Sequence, residues 1–271
     1  MKKFLSIMSL TIGLLMSTTA FVACGSSDDD STGGSGSDMQ PSKRITKIIE
    51  EDGDYLYERT LSYDSQGRVT KIVETKSGVN TNGLKETTYQ YGETLILSKM
   101  VEEGYNSSNT FSRSQSHTLE NGRIVKDVDI QTTNNKAEIT TTREFSYDSN
   151  NYLSSESHTT TGSASGGGTK MFTWSDGNVI KVGNHSFEYS NYSRAKGIPL
   201  YLDSSNTDEY LFAMGYYGNI PKNLQSKTYY SSESGSTYDY TFEGSYVSKI
   251  VITPFVETSK AHKRTMTFIW E

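Results

Sequence analysis

Cysteine is nearly absent from this chain, with Cys24 the single one in 271 residues. A disulfide within the chain is excluded, and so is a zinc centre built from paired cysteines. Proline is scarce, with four residues, and beyond the first two dozen positions no apolar run is long enough for a helical membrane span. Clusters of Lys and Arg are missing too. The formal net charge is −6, from 26 basic and 32 acidic residues, and phosphate backbones need grouped cations, so nucleic acid is not an expected partner. The histidines His117, His158, His185 and His262 show neither HxH nor HExxH spacing, which leaves no metal and no cofactor to expect. A Gly-x-Ser-x-Gly elbow does not occur. Gly162 to Gly168 reads as a loose loop tip, without the Lys-Ser/Thr ending of a phosphate cradle.

What the chain does have is a repeat. The stretch Arg59-Thr-Leu-Ser-Tyr63-Asp64-Ser-Gln-Gly67-Arg68-Val69-Thr-Lys-Ile72 returns in weaker copies anchored at Tyr91, Leu119, Tyr147 and Trp174, at intervals of 28, 28, 28 and 27 residues. Another copy sits at Phe242. Each copy is an aromatic or apolar anchor, a short polar turn with Gly or Asn, and a β-branched run, the pattern of two strands joined by a tight hairpin. Units of this period stack and share one core. The fold predicted is all-β: a large antiparallel meander, either a strongly curved open sheet or a barrel.

Counting back from each anchor, one face of the first strands reads Tyr57, Arg59, Leu61, Tyr63 and the other Glu58, Thr60, Ser62, the alternation of a sheet with one wet side. A membrane-spanning barrel needs an apolar band on that second face, and Ser, Thr, Glu and Gln there exclude it. In the second strands Val69 and Ile72, like Val247 and Ile250, lie three apart, which predicts a bulge or packing on both faces. Asp127 and Asp129 share a strand face and are expected to be solvated.

Residues 1–23 combine Lys2 and Lys3 with an apolar run, a lipoprotein signal peptide, and Phe21-Val22-Ala23-Cys24 resembles a lipobox that would make Cys24 the lipidated first residue. Residues 24–42 are a flexible Gly/Ser tether whose Asp28-Asp29-Asp30 resembles an export signal to the outer face of the outer membrane; the alternative is a solvating linker. The expected location is the outer membrane, lipid-anchored and facing the exterior. Residues 43–271 form a single β domain with a helical insertion around 203–224. Within that insertion Asn206 to Gly218 has a plausible N-cap, acids in the first turn and Gly at the end, so a buried helix is predicted there.

The lipobox Cys with trailing acids, the Tyr-Asp/Glu-x-x-Gly-x-Val hairpins and the insertion Tyr210-Leu-Phe-Ala-Met-Gly-Tyr-Tyr-Gly-Asn-Ile-Pro-Lys-Asn-Leu224 resemble a Bacteroidetes-type lipoprotein family of unknown function with a porin-like β fold. The hairpin motif alone is also similar to YD repeats. The resemblance implies a many-stranded antiparallel barrel, open or closed, and brings no activity or site. The sequence departs from its own motif at Leu119 and in the Asn150-Asn151 turn.

Polar side chains on the apolar anchor face stand out: Arg59, Arg113, Gln115, His117, Arg143 and His185, in the company of Tyr89, Phe145 and Trp174. They are the candidate ligand-binding residues, and a buried charge among them must be paired, snorkel to a rim or line a wet cavity. The leading functional reading is a cell-surface lipoprotein that binds a glycan, peptide or lipid on the concave face without catalysis. The second is a structural or interaction subunit that docks on another envelope protein through a strand edge. The third, a hydrolase with an unrecognised site, needs a convergent acid, base and nucleophile.

Overall fold

The computed structural model describes residues 43–78, 81–103, 111–133, 136–194, 208–255 and 262–271. The signal peptide, Cys24 and the tether lie outside them. Sixteen strands follow in antiparallel order: β1 (Ile45–Asp52), β2 (Tyr55–Tyr63), β3 (Val69–Gly78), β4 (Thr81–Tyr91), β5 (Leu95–Glu103) and β6 (Phe111–Glu120). Then come β7 (Arg123–Thr133), β8 (Lys136–Tyr147), β9 (Leu153–Gly162), β10 (Gly166–Ser175), β11 (Asn178–Val182) and β12 (His185–Ser193). A short helix, α1 (Glu209–Ala213), precedes β13 (Asn223–Tyr229), β14 (Gly235–Glu243), β15 (Tyr246–Phe255) and β16 (Arg264–Trp270). Each strand pairs with its sequence neighbours and β1 pairs with β16, so the meander closes into a barrel.

The repeat corresponds to the hairpins at one end. At β2–β3 and β8–β9 the turn is built on an aspartate: Asp64 Oδ1 accepts from the amides of Gln66 and Arg68, and Asp148 Oδ1 from those of Asn150 and Tyr152. Asn151 takes the left-handed conformation (φ 66°) that Gly67 takes (φ 78°), so the departure in the Asn150-Asn151 turn leaves the geometry intact. Asn121-Gly122 and Asp176-Gly177 are two-residue turns with both φ positive, matched to the twist of the strands they join.

The bulges predicted from the three-residue spacing are present. Ser62 faces Lys71 and Tyr63 faces Val69, so Thr70 is the extra residue and both Val69 and Ile72 point inward. The same slip makes Thr46, Val125, Ser154, Ile180 and Ser248 extra residues in β1, β7, β9, β11 and β15. At four of these bulges the hydroxyl of the extra residue donates to a carbonyl across the bulge: Thr70 to Ser62, Ser154 to Ser146, Ser248 to Thr241 and Thr46 to Ile269.

Three expectations are corrected. The helix is short, capped by Asp208 instead of starting at Asn206, which lies outside the described residues; positive φ at Gly215 and Gly218 then turns the chain. The strand β13 falls where no strand was expected, because its NLQSKTY lacks apolar alternation while the ladders of β12 and β14 impose pairing. Gly166, Gly167 and Gly168 belong to β10, paired with Thr160, Thr159 and His158, and a Cβ at Gly167 would come within 2.8 Å of the His158 carbonyl.

The outer face is wet. Lys47 pairs with Glu58 at 2.7 Å and Lys71 with Glu86 at 2.8 Å there, so around these strands the described outer face carries charge where a lipid-facing band would be apolar. No described helix is long and apolar enough to cross a membrane.

Candidate functional site

Two rings of side chains fill the interior. The first lies at the end of the barrel that carries the tight hairpins. A bulge takes one carbonyl out of the ladder, and a carbonyl turned inward needs a donor. Each bulge has one. Tyr63 donates to Ile45, Tyr91 to Val69, Tyr147 to Ile124 and Tyr189 to Val179 through their hydroxyls; Trp174 donates to Leu153 and Trp270 to Val247 through Nε1. Tyr240 likewise donates to Gln225 at the Ser226 bulge of β13, so seven bulges meet seven aromatic donors, and in all but this last the acceptor belongs to the apolar residue just before the bulge. Leu119 offers no donor, and β5, the strand its side chain would reach, runs from Leu95 to Glu103 without a bulge. Burial pushes the Tyr63 phenol up to about 12.

Residues 208–222 plug this same end. Asp208 caps the helix through Tyr210 and Leu211 and accepts from Tyr89 at 2.8 Å. The Tyr216 carbonyl takes the Ile124 amide, Asn219 N–H donates to Asn151, and Lys222 N–H donates to Gly177, so the segment crosses three hairpins in turn. Gly218 passes so close that a Cβ would lie 2.5 Å from the Asn151 carbonyl. Tyr217 is fully buried, edge-on to Phe145, with its hydroxyl on Asp127 Oδ2 at 3.1 Å.

Deeper along the strands a charged belt replaces the apolar layers. Arg59 bridges Glu50 and Glu74, and Lys85 also reaches Glu74, at 2.6 Å. Arg113 grips Asp129 with two bonds of 2.8 and 2.6 Å, Gln131 adds a third, and Arg143 approaches the same carboxylate at 3.4 Å. Burial pushes the Asp129 carboxyl upward, but these donors outweigh it and hold it below the usual carboxylate range. Glu209, at the start of the helix, is pushed upward by burial, with Arg59 opposing.

Ser98, His117 and Asp127 form a relay: Ser98 Oγ lies 3.3 Å from His117 Nε2, and His117 Nδ1 lies 2.6 Å from Asp127 Oδ1. The spacing is that of a nucleophile, a base and its orienting acid. The surroundings are not. Ser98 is mid-strand and paired on both sides, so the ladder occupies the amides that would form an oxyanion hole. His117 and Asp127 have no exposed surface, and Gln115 competes for the Ser98 hydroxyl. The relay is a satisfied core network.

All nine candidate residues sit on strands of the barrel, on the inward parity. Arg59, Arg113, Gln115, His117 and Arg143 belong to the belt, Tyr89 and Phe145 support the plug, Trp174 is part of the aromatic ring, and His185 packs edge-on against Tyr230. Asp127 and Asp129 overturn the expectation of a solvated face: both are fully buried. The bulge at Val125 reverses the parity of β7, and applying the Val69–Ile72 spacing to Ile124 and Asp127 would have found them.

A family model described as a domain of unknown function (DUF4595) with porin-like fold matches residues 61–251. The chain belongs to this family. Its fold agrees with that of a solved relative: a porin-like protein from Bacteroides uniformis ATCC 8492 has 17% identity and a TM-score of 0.60, covering 84% of this chain and 96% of that one. A porin-like protein from Bacteroides vulgatus ATCC 8482 matches at 11% identity with a TM-score of 0.32, over 85% and 99% of the two chains. No curated protein matches. In this family member the porin-like architecture is a filled barrel, with aromatic rings, a plug and paired charges where a pore would run.

Proposed function

We propose that this protein is a lipid-anchored outer-membrane protein facing the cell exterior, and that it captures a glycan, peptide or lipid in the end of its barrel opposite the plug, without catalysis. The anchor rests on the Cys24 lipobox and the acidic tether. The observation that carries the capture reading is the asymmetry of the interior. Away from the plug the inward side chains become partly exposed and combine rings with cations: Tyr55 and Tyr57 lie 6.4 Å apart with Lys76 over both, at 4.6 and 5.6 Å, and Arg113 lies deeper. Rings and fixed donors side by side suit sugars and peptides. Docking through a strand edge loses its support, because closure through β1 and β16 pairs both edges.

Thermal unfolding of residues 39–271, which form one compact unit, against panels of glycans, peptides and lipids tests the reading. A ligand at ~100 times its Kd adds about 2.7 kcal/mol and raises the midpoint. The rise should vanish in Tyr57→Ala and Lys76→Ala. A panel that moves no midpoint removes the proposal.

A further inference from the structure

We infer that Arg143 and His158 form a site inside the barrel for a carboxylate of the captured ligand, an inference that rests on the capture function above. Arg143 is 5% exposed, and a guanidinium carries five N–H donors in a rigid plane. Its neighbours use few of them. Nη2 meets Asp129 Oδ2 at 3.4 Å, but that carboxylate is already taken by two short bonds from Arg113 and one from Gln131. Nε lies 3.9 Å from Glu156 Oε1, beyond hydrogen-bond length, and both Nε and Nη1 are buried without a hydrogen-bond partner. Directly across on β9, His158 is the register partner of Arg143, and its Nδ1 is buried without a partner as well.

Buried donors left unpaired are costly, and the other arginines of the belt avoid the situation: Arg59 and Arg113 each have close carboxylates. Three such atoms on two facing residues therefore mark a place for an acceptor that comes from outside. Its chemistry follows from the donors. An acceptor-only oxygen pair suits the guanidinium and the Nδ1–H tautomer of His158. Asp129 and Glu156 stand close by, so a monoanion fits and a dianionic phosphate is repelled. Arg113, 29% exposed at its side chain, lies two inward layers further from the plug by register and shares Asp129 with Arg143.

The test uses acetate as the probe on residues 39–271. The Nε–H resonance of Arg143, assigned by its loss in Arg143→Lys, should move saturably with acetate and stay still in chloride of equal ionic strength. The acetate-dependent rise in unfolding midpoint should be lost in Arg143→Gln and in His158→Ala, whichever of the two unfolds cooperatively. A still resonance, an equal response to chloride, or a rise that persists in the variants overturns the inference. Galacturonate against galactose, a dipeptide against its C-terminal amide, and octanoate against octanol then identify the source of the carboxylate. Equal binding of both members of every pair also overturns it. Neutral ligands that stabilise the barrel while acetate does not would sink the carboxylate site and leave capture standing; acetate binding at Arg143 with no response to the larger panel would do the reverse.

Discussion

At the hairpin end of the barrel each carbonyl freed by a bulge has a single neutral partner, the ring donor of the next hairpin. A few residues further along the same strands, inward polar atoms are charged and shared, with Asp129 serving Arg113, Gln131 and Arg143 and Glu74 serving Arg59 and Lys85. The first arrangement is modular, repeating because each pair is complete by itself. The second is a network, and removing one carboxylate strands more than one cation. It follows that the two regions should respond to substitution in different ways.

The largest effect belongs to the network. Asp129→Ala leaves Arg113 and Arg143 buried without their shared acid and should cost about 3–5 kcal/mol in urea unfolding; a loss under about 1 kcal/mol would erase the distinction. The same residue sets a pH dependence. Its carboxyl is held low in the folded state, so its stabilisation is present above the ordinary aspartate range and is lost as pH falls through the folded value. Stability profiles of the wild type and Asp129→Asn should therefore converge in acid, and parallel profiles would contradict this. Tyr217→Phe, which takes a donor from the buried Asp127, should cost about 1–3 kcal/mol. In the ring, Tyr147→Phe should cost about 1 kcal/mol, and combining it with Tyr63→Phe should be additive within about 0.5 kcal/mol. Arg113→Ala with Arg143→Ala should depart from additivity in the same assay, because both share Asp129. Smallest of all is Ser154→Ala at the surface of a bulge, within about 0.5 kcal/mol.

The meander, its period and its bulges were readable because they are local: an anchor, a turn residue and a spacing of three recur within each hairpin. Leu119 was recognisable as an exception, but that its missing donor goes with an unbulged β5 required the pairing. Asp127 and Asp129 were misjudged because parity was counted without the bulge that reverses it. Chain closure left no local mark either, since Ile45 and Trp270 pair across the whole length of the domain. The belt residues were legible as inward polar groups, but their partners lie on neighbouring strands and in the insertion. The helix was overextended because Tyr, Phe and Met suit a buried helix and a buried turn alike, and two glycines decided for the turn.

Closure has one more consequence. Arg44 and Glu271 exchange both backbone hydrogen bonds, at 2.7 and 2.9 Å, so the first and last strands meet as any hairpin does. Topologically, residues 44 and 271 stand to each other as the two sides of a hairpin that lacks its turn. Joining them with a short linker and cutting between Asn121 and Gly122 should give a circular permutant with the same barrel. In that molecule the β1–β16 contact becomes local and the β6–β7 contact becomes the distant one, which moves the slow search for closure to a different seam.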